Sequence, residues 1–431
     1  MNATLRDTFE KAANASNGTL PEAVKTMKAN AFRQFESRGF PTVEQEDWRF
    51  TNTAPIAELP FSLSKTGDIP DHLQTGNIQI SSPIRLVFIN GKYCARLSRT
   101  GDLPCGVVVG SLAEGLCQKP ELVLYCLLKE ISIPFNSFFD LNTAFFADGT
   151  FIWIPDGTEL THPVHVLHIT HPDSRGNFCH PRNIYRVGKN AKLQVIEEYV
   201  SSSDLEVFNN PVTQIFVEHG GQCDHIKLQT ESAQTFHVST IYIEQGSASN
   251  VASHSISLGG MLARNDIIGV FQGEGGYHLL NGLYLAHDKQ LVDHHTSIHH
   301  KKPHCESHEF YHGILNDQAK GVFNGKIFVS KGAQKTDAKQ TNRNLLLSSD
   351  ATIDTKPQLE IFADDVKCTH GATVGQLNED AIFYLQARGI GEAMARQILI
   401  HAFAKEIVDR LQPVSLQDQI NLLIQKYLTN S

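Results

Sequence analysis

No two cysteines of this chain form a Cys-x-x-Cys pair; the eight are scattered at positions 94, 105, 117, 126, 179, 223, 305 and 368. That spacing speaks against a zinc ribbon or a thioredoxin-type site. Free thiols in a reducing cytosol fit better than disulfides, and most are expected to be buried small hydrophobes. The opening MNATLRDTFEKAANASNG has no apolar h-region, so no secretory signal is expected. Long hydrophobic runs are missing too: stretches such as LVLYCLL are far too short to cross a bilayer. Positive charge is in deficit, and the net charge of −9 argues against non-specific binding to nucleic acid or an anionic membrane. Together these absences predict a cytoplasmic protein with no membrane span and no nucleic-acid partner.

Catalytic signatures are equally sparse. No G-x-S-x-G and no kinase set occurs. GVFNGKIF has the look of a phosphate loop, but its glycines are too close and Ile327 stands where Ser or Thr would meet Mg²⁺. GVFQGEGGYHLLNG is glycine-rich within strand-like sequence, so tight turns account for it. The chain therefore does not read as a nucleotide hydrolase or an ordinary hydrolase.

What is present is ordinary in amount and distinctive in order. Hydrophobic residues make up 41 % and charged residues 19 % of the 431, enough for a large core and two or three structural units. LPEAVKTMKANAFRQFESRGFP reads as a helix with Val24, Met27, Ala31, Phe32 and Phe35 on one face, stopped by Gly39 and Pro41. Residues 55 to about 148 mix short strand-like and helix-like pieces. From about 150 to 375 the chain breaks into short β-branched runs such as TFIWIPDGTEL, VHVLHIT, AKLQVIEEYV and STIYIEQGS. Helical periodicity is lacking there, which excludes a βαβ sheet and leaves a sandwich, a barrel or a solenoid.

An internal echo favours the solenoid. LNGLYLAHDKQLVDHHT starts at Leu280 and FNGKIFVSKGAQKTDAKQT at Phe323, and each runs through Asn-Gly and a strand to Gln-x-x-Asp. An offset of 43 residues suggests two coils of about 21 each. The expected fold is mainly β: a right-handed parallel β-helix core (149–376) between an N-terminal helical and mixed α/β region (1–148) and a C-terminal helical region (377–431). A sandwich is the alternative. In the C-terminal region Met394, Ile398, Phe403 and Ile407 form an apolar stripe, suited to packing within the chain or to docking a partner.

Two stretches could carry metal chemistry. HHTSIHHKKPHCESHEFYH, residues 294–312, is dense in histidine, but on a strand His295 and His299 share one face and His294 and His300 the other. No convergent set of three or four ligands follows. In LEIFADDVKCTHGATVG, Cys368 and His370 are two apart, so a strand puts both on one face about 7 Å apart at about 3.3 Å of rise per residue. That is wide for one ion, and suits two points on a cluster or a site completed by another chain. A buried cysteine beside a surface histidine is the plain alternative.

GFPTVEQEDWRFTN, DLNTAFFADGTFIWIP, LNGLYL, GVFNGKIFV, AQKTDAKQTNRNLLLS, DTKPQLEIFADDVKCTHGATVG and FYLQARGI resemble the SufB/SufD family over nearly the whole chain. The likeness is closer to the SufD branch, and the N-terminal cysteine cluster of many SufB proteins is lacking. The resemblance implies a non-enzymatic scaffold subunit of the SUF (SufBCD) iron–sulfur cluster assembly complex. It would pair through a β-helix edge with a SufB-type paralogue and bind a SufC-type ABC ATPase through its C-terminal helices, where Met394, Ile398, Phe403 and Ile407 are the candidate contacts. The family's Cys-x-His element maps onto Cys368 and His370, which would help hold a nascent iron–sulfur cluster or iron shared with SufB. A reduced flavin is implied for the whole complex, without residues to assign to it here, and whether the isolated chain pairs as a homodimer is left open by the sequence. The family's Asp-x-His-Thr core matches Asp293, His295 and Thr296. Two rival readings are a carbohydrate-active β-helix enzyme, which would want a secretion signal and a carboxylate groove, and a histidine-rich metal-binding or storage protein on a β-helix.

Overall fold

The computed structural model describes residues 3–15, 20–63, 69–131, 133–201 and 204–430. Helices α1 (Ala3–Ala15), α2 (Glu22–Arg38), α3 (Leu112–Gln118), α4 (Pro120–Leu127) and α5 (Ser137–Phe145) belong to the N-terminal part. Helix α2 buries Val24, Ala31, Phe32 and Phe35 as its spacing predicts, and Gly39 ends it at φ 67°. Lys28 is buried on the same helix, its Nζ donating to the Phe146 carbonyl.

From Thr150 the chain coils. Strands β1 (Thr150–Ile154), β2 (Val164–Thr170), β3 (Arg182–Val187), β4 (Lys192–Ser201), β5 (Val212–Val217), β6 (Gln222–Gln229), β7 (Thr235–Gln245) and β8 (Asn250–Ser257) form the first half. Strands β9 (Leu262–Phe271), β10 (Tyr277–Ala286), β11 (Leu291–His300), β12 (Glu306–Leu315), β13 (Lys320–Val329), β14 (Asp337–Leu346), β15 (Thr352–Ile361) and β16 (Lys367–Gly375) form the second. Odd-numbered strands stack in one sheet and even-numbered strands in the other. Every neighbouring pair within the solenoid is parallel. The fold is thus a β-solenoid of about eight turns with helical regions at both ends of the chain.

The coil length corrects one expectation. Leu262 pairs with Leu291 and Leu291 with Lys320, so a coil takes 29 residues. Later coils lengthen, Glu306 pairing with Asp337 and Lys320 with Thr352. Each coil holds two strands, so the echoing segments at Leu280 and Phe323 lie on opposite sheets, one and a half coils apart. Their shared Asn-Gly has a packing cause. A Cβ on Gly282 would lie 2.1 Å from Tyr311 Cε1, and one on Gly325 would lie 2.1 Å from Gln340 Nε2. Both glycines make room for a large side chain inside the coil.

Strand alternation divides inside from outside. The lumen is filled by an apolar core drawn from both sheets, including Val166, Ile215, Val251, Leu280, Tyr284, Val292, Tyr311 and Phe323. Outside the odd-numbered sheet lie the N-terminal helices, through Phe138, Leu141 and Phe145 against Phe208, Val238 and Leu262. Outside the even-numbered sheet lie α6 (Glu379–Gln386), α7 (Glu392–Val408) and α8 (Val414–Asn430). There Ile400, Ile407, Val408, Leu416, Ile420 and Ile424 are buried against Ile226, Leu228, Ile256, Leu283, Leu285 and Ile314. The chain therefore turns back along the flank of the solenoid after β16 and leaves the last coil open. Among the described residues no helix is long and apolar enough to cross a membrane.

Candidate functional site

Strand β16 is the last of its sheet, hydrogen-bonded to β14 on one edge and, among the described residues, to no strand on the other. The register sets Cys368 beside Ala338 and His370 beside Gln340, on the row that faces the lumen in every earlier coil. Cys368 packs against Ile327, Val329 and Ala338, the apolar plug just inside the mouth. His370 is exposed because no further coil covers it. The mouth is apolar elsewhere: Phe362 is 59 % exposed and Val374 49 %. Burial, with the Asp337 carboxylate, pushes the Cys368 thiol up, so its thiolate forms only when something cationic offsets the charge.

Behind His370 the row continues inward as Gln340 and Glu309. Gln340 Nε2 donates to Glu309 Oε2 at 2.6 Å, and Gln340 Oε1 is buried without a partner. Burial pushes the Glu309 carboxyl up to about 7, although the nearby Thr296 hydroxyl and the Gln340 amide act to lower it.

The histidines of 294–312 are dispersed, as alternation predicts. His294 sits in the lumen with its ring 5.1 Å from that of Tyr284 and 5.2 Å from that of Tyr311. Burial pushes it down to about 3, the neutral form. His300 Nε2 lies 2.8 Å from Ser307 Oγ, and His299 Nε2 lies 2.8 Å from Ser297 Oγ. His295 faces Asp293 at 3.1 Å. His312 stacks on Phe403 at 4.4 Å, with Nδ1 3.0 Å from the Phe403 carbonyl. The sequence also spells His-Glu-x-x-His at 308–312. On a helix that spacing chelates zinc; on β12 it sends Glu309 inward and sets the two histidines four residues, about 13 Å, apart along the strand. The group of three close metal-ligating side chains found among the described residues lies elsewhere, at His287, Asp288 and Asp317 on stacked turns, and nothing in the sequence pattern singled it out.

The four C-terminal stripe residues separate. Ile407 is fully buried against the solenoid and Phe403 is half-buried under His312. Met394 and Ile398 remain 55 % and 40 % exposed, joined on the helical surface by Phe383 and Tyr384 of α6. Helix α7 is apolar on more than one side, so a single stripe could not reveal which side meets the solenoid.

Known proteins match this arrangement along the chain. Residues 169–403 match the family described as SUF system FeS cluster assembly, SufBD core domain, and residues 1–166 the SufBD protein N-terminal region. An iron–sulfur cluster assembly SufBD family protein of Synechocystis sp. is 34 % identical over 415 residues, covering 94 % of this chain and 91 % of that protein. Iron–sulfur cluster assembly protein SufD of Escherichia coli is 32 % identical over 391 residues, covering 90 % and 89 %. Protein ABCI7, chloroplastic, of Arabidopsis thaliana is 28 % identical over 426 residues, covering 96 % and 88 %. A solenoid that ends on an uncovered Cys-x-His strand, matched over nearly its full length by these relatives, belongs to the SufB/SufD family of SUF-system iron–sulfur cluster assembly proteins.

Proposed function

We propose that this chain is a non-catalytic scaffold that pairs through β15 and β16 with a SufB-type solenoid and holds a nascent iron–sulfur cluster, or iron on its way into one, at the junction. The carrying observation is that Cys368 and His370 occupy lumen-facing positions on a terminal coil that no described residue covers. A partner coil would bury the apolar mouth, satisfy the free strand edge and supply further ligands. Clusters of this kind take four ligands, mostly thiolates, and this strand offers two. Imidazole is the weaker and more proton-sensitive of the pair, which suits a cargo that must leave. A SufC-type ABC ATPase is placed on the exposed side of α6 and α7, around Met394 and Ile398. The eight free cysteines agree with a cytoplasmic location. Without its partner the same open coil can pair with a second copy of this chain.

The test is co-expression with SufB- and SufC-type proteins. His370→Ala should cut iron and sulfide content and visible absorbance of the purified complex while preserving its composition. Cys368→Ala should do the same or less. Normal loading in the double variant would reduce this chain to an architectural partner.

A further inference from the structure

Glu309 and Gln340 have no evident reason to be polar. They occupy successive lumen-facing positions on a row that continues inward through Leu280 to Ser253 and His225, the last two hydrogen-bonded to each other. Glu309 is buried, and among the described residues no cation faces it. The groups facing it are Thr296 from the opposite sheet, Gln340 from the next coil and Tyr311 on its own strand. Buried polar side chains are kept where something requires them.

The chemistry of the pair orients the amide. A carboxylate oxygen accepts, so Gln340 must turn its NH₂ toward Glu309, and does so at 2.6 Å. The carbonyl oxygen Oε1 is left over, buried and without a partner. The next residue on this row is His370, one strand away. Gly325 opposite gives the amide its room, since a Cβ there would strike Gln340 Nε2 at 2.1 Å. The file Glu309–Gln340–His370 thus ends on an unused acceptor one strand away from the exposed histidine at the mouth.

We propose that Glu309 and Gln340 are positioning residues for His370: Glu309 locks the Gln340 amide so that its carbonyl oxygen, unpartnered as the structure stands, accepts from a ring N–H when the exposed His370 ring turns toward it, fixing the tautomer and aiming the other ring nitrogen at the mouth. Histidines that hold metals commonly have their second nitrogen so engaged, which makes the free nitrogen more basic and saves the cost of orienting the ring. This rests on the proposed role of His370, but the tautomer itself is a property of this chain alone.

The experiment records ¹⁵N-histidine correlation spectra of the full chain at a pH where His370 is neutral, its signals assigned by their loss in His370→Ala. The wild type should show one dominant tautomer. Gln340→Leu, which cannot accept, and Glu309→Leu, which frees the amide to turn, should each bring the tautomer ratio toward that of free histidine. Glu309→Gln can still accept from Gln340 and should keep the wild-type ratio. In the complex with its SufB-type partner, Gln340→Leu should weaken ferrous iron binding about tenfold, as loss of such a partner commonly does. An unchanged tautomer ratio in folded Gln340→Leu overturns the inference. A changed ratio with unchanged iron binding supports the positioning and overturns the ligand role of His370.

Discussion

Arg264 donates from Nη1 to Oδ2 of Asp293 at 2.8 Å, and both side chains are buried. The same guanidinium lies 3.6 Å over the Trp48 ring and donates to the Asp47 carbonyl at 2.8 Å, while Thr51 Oγ1 donates to Asp293 at 2.5 Å. The EDWRFT segment of the N-terminal region and the Asp-x-His-Thr element of β11 are therefore two halves of one joint. It clamps the N-terminal part to the solenoid two coils before the open end.

Breaking that joint should be costly. Asp293→Ala leaves Arg264 its pair with Asp266 at 2.8 Å but removes its second carboxylate and the acceptor of Thr51 Oγ1, and loss of buried hydrogen bonds to a charged group typically costs about 1.5–3 kcal/mol. Urea unfolding should show the loss, and a variant within about 0.5 kcal/mol of the wild type would refute the clamp, that being the range of inconsequential surface changes. The pH dependence has a definite sign. Burial would raise the Asp293 carboxyl, but His295 and Arg264 hold it far below the usual range. Its contribution is present above the unfolded value of about 3.9 and fades as pH falls below it. The wild type should therefore lose stability on acidification more steeply than Asp293→Asn.

Glu309 has the opposite sign. Its folded-state carboxyl titrates near 7, above the ordinary glutamate value. Below about pH 4.3 the group is neutral in both states; as pH rises from there toward 7 the unfolded chain ionises first and stability falls. Glu309→Gln removes this penalty, so the variant should gain on the order of 3 kcal/mol over the wild type at pH 8 and little at pH 4. Calorimetry at the two pH values decides it; a loss of stability at pH 8 would mean that the ionised carboxyl is well solvated or paired.

The C-terminal helices give a separable pair of outcomes. Met394→Asp and Ile398→Asp alter exposed positions and should leave thermal stability within about 0.5 kcal/mol of the wild type. Each should nonetheless reduce co-purification of the SufC-type ATPase, because apolar anchors carry such contacts. Ile407→Asp places a carboxylate in the fully buried seam with the solenoid and should prevent folding outright. Full ATPase retention by the Met394→Asp, Ile398→Asp double variant would move the docking surface elsewhere. Removing residues 377–431 is not a clean test, since it would uncover Ile226, Leu228, Ile256, Leu283 and Leu285.

Gly282→Ala tests the packing origin of the internal echo. The added methyl would meet Tyr311 at 2.1 Å in a filled lumen, and overpacking of this kind costs about 1–3 kcal/mol. A thermal midpoint equal to that of the wild type would show that the lumen yields.

Among the histidines, His299→Ala and His308→Ala should leave iron and sulfide loading of the complex intact, since each engages a different local neighbour and neither reaches the mouth. His294→Ala should lower stability instead, by removing the ring between Tyr284 and Tyr311. Loss of loading in a folded His299→Ala or His308→Ala protein would reopen a metal role for the stretch.

The alternation of residues along each run was enough to establish strands without intervening helices, the division of His294 and His300 from His295 and His299, and the shared face of Cys368 and His370. Those are local properties, set by the two-residue repeat of an extended chain. The motif blocks likewise carried the family. Other features depended on which strand lies beside which. The coil period came out as 29 residues because turn lengths, which alternation does not reveal, decide where a strand meets its neighbour. Helix α7 turned Ile407 inward and left Met394 outside because a helix apolar on several sides takes its orientation from the surface it covers. Glu309, Gln340 and His370 are 31 and 30 residues apart in the chain, and only the stacking of coils makes them one file, by placing successive strands in register about 4.8 Å apart.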